Sequence, residues 1–266
     1  MVLAILSNIH TLLLAAGAGT RLRPFTDHWP KCLMPISGRP LLEYWLCMLK
    51  QCSIPKVIVN IYHHQKIVEK FLGQPQFESW VLGVVEPFLL GTAGTLRHNW
   101  KFLKGRKILL VHADNWCQCD ISDFIEFHIN HRSSNVAMTM MTFQSDNPKE
   151  CGILELDSNG LVQNLHEKVE QPPGTLANGA VYLLEPEILD WIMDNSEVND
   201  FSTEVIPNFF GRIATWENKD IHRDIGKIAS LKLAQLDLAP KACWHDSPFW
   251  HSEFQNNPIH AMLASI

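Results

Sequence analysis

The chain has 266 residues, 46% of them hydrophobic, with a formal net charge of −6, which suits one large domain or two small ones. This acidic balance excludes broad nucleic-acid binding, because that activity needs a basic face. Seven irregularly spaced cysteines do not resemble a secreted disulfide framework, and the apolar N-terminal segment is too short to be a secretory signal or to span a membrane, so we expect a cytoplasmic protein without membrane partners.

Apolar runs alternate with helix-length segments through the first half of the chain. Strands are predicted at 10–15, 56–61, 80–85, 107–112 and 136–143. Helices are predicted at 39–52, after the strand at 56–61 and through residue 72, from 91 towards 100, and at 121–132. This alternation predicts an α/β protein, a Rossmann-like three-layer α/β/α fold with a mostly parallel mixed sheet.

The second half has shorter links between its elements. Strands are predicted at 153–157, 161–167 and 177–184, and helices at 185–195 and 227–238. We assign residues 1–238 to one domain and residues 239–266 to a C-terminal tail with Trp244, Phe249, Trp250 and Phe254. So many aromatic residues are unusual in a disordered tail. The tail could dock on its own domain or on a partner subunit of a homo-oligomer.

A glycine loop follows the first predicted strand, at the position where open α/β sheets bind ligands. Gly17 and Gly19 allow a sharp turn whose backbone N–H groups can hold phosphate oxygens. Arg21 and Lys31 add positive charge suited to a triphosphate. The loop lacks the Gly-Lys-Ser/Thr of a Walker motif, and Leu22 replaces the third glycine of a dinucleotide fingerprint.

The segments 17–26 (GAGTRLRPFT) and 30–35 (PKCLMP) resemble the opening signature of the sugar-phosphate nucleotidyltransferase family, G-x-G-T-R-L-x-P-x-T followed by P-K-x-L-x-P. Every fixed position is matched. The resemblance implies that Arg21 and Lys31 contact the nucleotide phosphates and that Arg21 helps to bind the departing pyrophosphate. The nucleotide-binding residues implied in this way are Ala16, Gly17, Gly19, Thr20, Arg21, Lys31, Glu86, Gly91 and Thr92.

The segment 86–95 (EPFLLGTAGT) resembles the family's base-recognition segment and its guanylyltransferase branch. An ionised Glu86 carboxylate only accepts hydrogen bonds, and guanine offers two adjacent donors, N1–H and the 2-amino group. Uracil and thymine offer one ring donor between acceptors, which suits an amide. Glu86 therefore favours guanine; alternatively, it caps the helix that begins near Gly91 or faces solvent.

Two aspartates follow strand-like runs and match the family's metal-binding positions. Asp114 ends the run VHAD, and Asp224 lies in HRDIG. By this resemblance they hold Mg²⁺, which prefers oxygen ligands and usually takes one or two carboxylates plus phosphates and water. Asp114, with Arg21 and Lys31, completes the implied catalytic set. Ile225 stands where the family often has Thr.

Three later segments resemble the family's sugar-side elements, which we place within residues 151–220. The resemblance implies that Glu167 accepts from sugar hydroxyls, that Lys168 contacts the sugar phosphate, and that Gly152 and Asn178 line the sugar. The wording departs from the family's at Leu165, at Val169 and in the glycine after Asn178. Alternatively, Glu167 and Lys168 form a solvated surface pair.

A further cluster could hold zinc: Cys117, Cys119, His128 and His131. The one-residue spacing between the cysteines is unlike a zinc finger, so buried cysteines and helix-surface histidines are the simpler interpretation.

The function implied by the resemblance is transfer of a nucleoside monophosphate from a nucleoside triphosphate, GTP by preference, to mannose or manno-heptose 1-phosphate. The alternatives are a uridylyl- or thymidylyltransferase acting on another hexose 1-phosphate, and a non-catalytic regulatory paralogue that binds nucleotide sugars.

Overall fold

The computed structural model describes residues 6–245 and 247–266. The first five residues, half of the apolar N-terminal segment 1–10 considered above, lie outside the described residues. Within the described part of the chain, every helix is too short or too polar to cross a bilayer.

The described residues form short strands and helices in alternation through most of the chain. The strands are β1 Ile9–Leu14, β2 Pro35–Ile36, β3 Arg39–Pro40, β4 Lys56–Ile61, β5 Val81–Val85, β6 Lys107–His112, β7 Asn115–Cys117, β8 Met138–Gln144, β9 Gly152–Leu156, β10 Val162–Glu167, β11 Leu176–Leu184, β12 Ile213–Glu217 and β13 His222–Asp224. The helices are α1 Leu41–Gln51, α2 Gln65–Leu72, α3 Thr92–His98, α4 Trp100–Leu103, α5 Ile121–Asn130, α6 Pro186–Asp194, α7 Ile228–Leu236, α8 Pro248–Gln255 and α9 Pro258–Ala264.

The chain divides into two compact units. The first contains the described residues up to Leu12, Leu90–Val111 and Gln118–His222. Its central strand is β11, which pairs antiparallel with β6, β8 and β9, while β12 pairs parallel with β8. Alternate residues of a strand face opposite sides of the sheet. The last four residues of β11 are all buried, whichever side they face. Both faces of this strand are therefore covered.

The second unit contains Leu13–Leu89, His112–Cys117 and Arg223–Ile266. Here β4 pairs parallel with β5. Helix α1 is apolar on most of its circumference and is buried accordingly, with Tyr44 and Trp45 in the interior. The described strand pairs are thus both parallel and antiparallel, and helices alternate with them along the chain. The predicted α/β fold class is confirmed.

The tail packs on the second unit, to which it belongs. Trp250 of α8 meets Phe71 edge to face with ring centroids 5.2 Å apart, and Trp244 meets Phe77 at 5.2 Å. Phe254 packs on Trp29 at 5.8 Å. The tail therefore docks on its own domain, which is one of the two alternatives considered above. The homo-oligomer and the domain boundary at residue 238 stay predictions.

Strands β4 and β6 have the predicted bounds. The helix predicted from residue 39 begins later, because Arg39–Pro40 pairs with Pro35–Ile36 in a small hairpin. Strands β7, β12 and β13 and the two tail helices were not predicted. These strands are short, and each tail helix has fewer than nine residues, too few for a clear period.

Candidate active site

The glycine loop is held by its own signature residues. Gly19 has a φ of 61°, in the left-handed region that favours glycine. A Cβ atom at this position would lie 2.9 Å from the Thr26 methyl carbon and 3.1 Å from Lys31 Cβ. The Thr26 hydroxyl donates to the Gly19 carbonyl at 2.9 Å. Glycine and threonine at these two positions are thus explained by close packing around the base of the Lys31 side chain.

The rest of the loop lies beside one of the candidate metal ligands. An added Cβ on Gly17 would lie 4.0 Å from Asp114 Oδ2, an ordinary van der Waals contact. Ala16 is buried, whereas Thr20 is exposed and begins a short 3-10 turn, Thr20–Leu22. Gly17 thus borders the Asp114 carboxylate, and the nucleotide-binding role of Ala16, Gly17 and Thr20 stays a prediction.

Two cations and two acids converge in the second unit. Lys31 Nζ donates to Asp114 Oδ2 at 2.9 Å and to Asp224 Oδ1 at 3.0 Å. Arg21 donates to Asp224 Oδ2 at 2.9 Å. The Lys31 side chain is only 5% exposed, whereas that of Arg21 is 56% exposed. Residues separated by up to 203 positions in the chain therefore meet within hydrogen-bond distance.

The charges of this cluster stabilise one another. Burial by itself lowers the pKa of the Lys31 ammonium, but the negative charges of Asp114 and Asp224 outweigh it and raise that pKa above 10.5. Burial raises the pKa of Asp224, and the attraction of Lys31 and Arg21 overcomes it, which lowers the pKa of this carboxyl to about 2. At neutral pH Lys31 is therefore a cation and Asp224 an anion.

Local backbone features aim the acids at this point. Asp114 lies in the turn between β6 and β7, and Asp224 is the last residue of β13. The Gly226 amide donates to Asp224 Oδ1 at 2.8 Å. A Cβ on Gly226 would lie 2.6 Å from a terminal nitrogen of the Arg21 guanidinium. Sequence reasoning missed Gly226 as a site residue, although its place two residues after Asp224 was a usable signal.

The donor set fits a hard divalent cation. The Asp114 and Asp224 carboxylates converge on the Lys31 ammonium, so this point of the site already stabilises a positive charge. Among the described residues, no group of three or more His, Cys, Asp or Glu side chains is arranged to hold a metal. A two-carboxylate site matches the way Mg²⁺ is bound through one or two acids, with phosphate and water oxygens completing its shell.

The candidate base-reading residue is buried and fixed. Glu86 follows β5 and is 3% exposed. Asn60, the penultimate residue of β4, donates from Nδ2 to Glu86 Oε1 at 3.0 Å and accepts from the Ala15 amide at 2.6 Å. Glu86 therefore does not face solvent, contrary to one alternative considered above. Asn60 was missed, yet a polar residue near the end of a buried strand was the signal.

Gly91 and Thr92 lie in the first unit, at the start of α3. Gly91 has a φ of 73°, and a Cβ there would lie 2.5 Å from the Asn199 carbonyl oxygen. Thr92 Oγ1 accepts from the Phe201 amide at 2.6 Å. The Asn199 carbonyl accepts from the Ala93 amide at 2.8 Å. This backbone amide in the first turn of α3 therefore has a hydrogen-bond acceptor other than Glu86. Packing explains both residues, and their nucleotide-binding role stays a prediction.

The predicted sugar-side residues meet in the first unit. Gly152 and Glu167 are paired across β9 and β10, and a Cβ on Gly152 would lie 2.6 Å from Glu167 Oε2. The same Cβ would lie 3.8 Å from that of Asn178. Lys168 forms an ion pair with Glu167 at 3.0 Å, and both side chains are exposed. Gly152 is buried, and its lack of a Cβ makes room for the Glu167 carboxylate, while the sugar-binding role of the four residues stays a prediction.

The candidate zinc cluster has competing partners. His128 is fully buried; its Nδ1 lies 2.8 Å from Thr139 Oγ1 and its Nε2 lies 3.2 Å from Glu185. Both ring nitrogens are thus engaged in the protein interior, so the expectation of a helix-surface histidine is wrong for His128, which is a buried structural residue.

Comparison with known proteins agrees with this geometry. The nucleotidyl transferase family profile matches residues 10–241, and the chain belongs to that family. The predicted family is confirmed.

The matching relatives differ in the nucleotides that their names indicate. A mannose-1-phosphate guanylyltransferase from Mycobacterium tuberculosis is 28% identical over 239 residues, 86% of this chain and 64% of that protein. A UTP–glucose-1-phosphate uridylyltransferase from Synechocystis is 27% identical over 210 residues, 74% of this chain and 54% of that protein. The chain therefore spans between half and two thirds of the length of these relatives.

A solved structure, HddC from Yersinia pseudotuberculosis complexed with GMP-PN, superposes with a TM-score of 0.72 at 24% identity. The superposition covers 85% of this chain and 98% of the HddC chain. This likeness shows the shared fold.

Proposed function

We propose that this protein transfers a nucleoside monophosphate from a nucleoside triphosphate to a sugar 1-phosphate and releases pyrophosphate. The observation that carries the proposal is Lys31 held between Asp114 and Asp224, with Arg21 bound to the same Asp224. This arrangement combines cations for a polyphosphate with carboxylates for a divalent ion, in a member of a nucleotidyl transferase family.

The chemistry needs positioning and charge more than proton transfer. A sugar-1-phosphate oxygen is already an anion, so its attack on the nucleotide α-phosphorus requires no general base. In this proposal Lys31 and Arg21 bind the phosphate oxygens and stabilise the charge that accumulates as pyrophosphate leaves. Asp114 and Asp224 would hold Mg²⁺, which neutralises phosphate charge when it is bound. In this proposal Lys168 binds the phosphate of the incoming sugar.

GTP is the proposed donor. The Glu86 carboxylate is buried and oriented by Asn60, which suits it to accept from the two adjacent donors of guanine. Mannose or manno-heptose 1-phosphate is the proposed acceptor, and relatives named mannose-1-phosphate guanylyltransferase support the first of these. The seven cysteines, all within the described part of the chain, form no disulfides, which is compatible with the proposed reducing cytoplasm.

The second candidate is a uridylyltransferase acting on another hexose 1-phosphate, which the similarity to the Synechocystis enzyme favours. A non-catalytic regulatory paralogue is the third. Retention of both aspartates and both cations in one cluster argues against that paralogue, because nucleotide-sugar binding alone does not need two metal carboxylates.

The test is pyrophosphate release from a panel of GTP, UTP, dTTP and CTP with several sugar 1-phosphates and Mg²⁺. We expect turnover with GTP and a manno-configured acceptor, and its near-complete loss in Asp114→Asn with an unchanged circular dichroism spectrum. Asp190→Asn, which alters an exposed acid, is the matched control. Pyrimidine preference would transfer the assignment to the uridylyltransferase class, and full activity of Asp114→Asn would reject the proposed metal site.

A further inference from the structure

A third acid, Asp237, lies at the C-terminal end of α7 and is bound by two side chains. Arg223 donates to it through Nε at 2.7 Å and through a terminal nitrogen at 3.0 Å, a bidentate ion pair. The indole of Trp116 donates to the same carboxylate at 2.9 Å. The Asp237 side chain is 12% exposed, so these charge-assisted bonds are largely sheltered from water.

The two donors belong to the chain segments that carry the candidate metal ligands. Trp116 lies in β7, two residues after Asp114, and Arg223 lies in β13, directly before Asp224. One carboxylate therefore joins both segments through side chains, in addition to the backbone pairing of β7 with β13.

One of these two segments is itself fixed to a helix. Trp116 is fully buried and meets the Tyr44 ring edge to face, with centroids 4.8 Å apart. The Trp45 indole donates to the Asn115 carbonyl at 3.1 Å. Helix α1 thus holds β7, and Asp237 ties Arg223 of β13 to that fixed strand.

We propose that Asp237 is a positioning residue that sets the separation of Asp114 and Asp224 and thereby the affinity of the pair for a divalent ion. The inference rests on the proposed function, since it assumes that these two acids hold the ion. Outer-shell partners that hydrogen-bond a metal ligand directly typically contribute about 10–100-fold in metal affinity, and Asp237 acts one residue further out, through Arg223 and Trp116, so we expect an effect near the lower end of that range.

The direct test is Mn²⁺ binding to the nucleotide-free protein, measured from the electron paramagnetic resonance signal of unbound Mn²⁺. We expect Asp237→Asn to weaken binding about tenfold. Trp116→Phe keeps an aromatic ring of smaller size and removes the indole donor, and should weaken binding in the same direction. Asp190→Ala, at an exposed position on α6, should bind as the unmodified protein does.

Turnover separates positioning from general destabilisation. In Asp237→Asn the Mg²⁺ concentration for half-maximal activity should rise, while kcat at saturating Mg²⁺ and KM for the sugar phosphate change less than about twofold, because the ligands are displaced and not removed. Asp237→Glu, which keeps the charge, should restore part of the Mn²⁺ affinity.

Unchanged Mn²⁺ affinity in Asp237→Asn and Trp116→Phe, with affinity lost in Asp114→Asn, would overturn the role of Asp237 and leave the proposed function intact. Unchanged affinity in Asp114→Asn as well would overturn the metal assignment and this inference together.

Discussion

Replacing Glu86 by Gln should change the base preference of the enzyme. Asn60 Nδ2 needs an acceptor and now finds it in Glu86 Oε1. A glutamine would keep its carbonyl oxygen at that position and would place its amide NH₂ where the second carboxylate oxygen now lies. The residue would then offer a donor where the carboxylate accepts, which opposes a guanine donor and complements a uracil carbonyl.

The size of this change follows from burial. Glu86 is 3% exposed, so water cannot replace a lost partner. A hydrogen bond to a charged group contributes about 1.5–3 kcal/mol, and an unmatched buried donor costs about 1–3 kcal/mol. We therefore expect a loss of about 3 kcal/mol for GTP, about a hundredfold in kcat/KM.

The assay is pyrophosphate release with GTP and UTP at a fixed, saturating sugar 1-phosphate. The expected result is a fall in kcat/KM for GTP and a rise for UTP, with KM for the sugar unchanged. Glu78→Gln, which makes the same chemical change at an exposed position, is the control. Equal losses for GTP and UTP would refute base reading by Glu86 and indicate a structural role.

Three further outcomes are expected. Glu185→Gln should lower the free energy of unfolding by about 2–3 kcal/mol at pH 7, because burial raises the pKa of Glu185 but bonds from His128 and Lys107 lower it from 4.5 to about 2. This stability is present above pH 4.5 and is lost as the pH falls towards 2, so urea unfolding at pH 7 and pH 3 should show the difference shrink. Trp250→Ala should cost about 3–5 kcal/mol in urea unfolding, and Phe249→Ala, at a 72% exposed position, far less. Lys31→Met should lower kcat by about 10²–10³-fold, yet strengthen Mn²⁺ binding without nucleotide, since the ammonium competes for the same acids; weaker Mn²⁺ binding would contradict that competition.

The local pattern of apolar and polar residues was sufficient to predict many of the strands and helices. The runs KVIVNI and KILLVH became β4 and β6 with the predicted bounds, because a buried strand needs only a short apolar stretch between polar ends. The tail helices were missed, although Ser247-Pro248 and Asn257-Pro258 are N-cap and N1 pairs typical of helix starts. The residues that favour a helix start were present, but each helix is too short to show a recognisable helical spacing of apolar residues.

The candidate site residues that lie within a recognisable sequence motif could be predicted from the sequence. The opening signature and the two aspartates led to Arg21, Lys31, Asp114 and Asp224, which the structure brings together. The partners of these residues could not be found in the same way. Asp237 matters through a contact with a residue 121 positions earlier in the chain, and no local spacing encodes such a distance.

The buried Lys31 links ion binding to nucleotide binding. Without ligands its ammonium is desolvated and is offset by both carboxylates, an arrangement that is stable only while the acids stay charged. A divalent ion between the same acids weakens their hold on Lys31, which then needs another anion. A triphosphate supplies that anion for Lys31 and for Arg21, so each ligand lowers the cost of binding the other. By linkage the coupling is reciprocal: the nucleotide should tighten ion binding by the same factor as the ion tightens nucleotide binding.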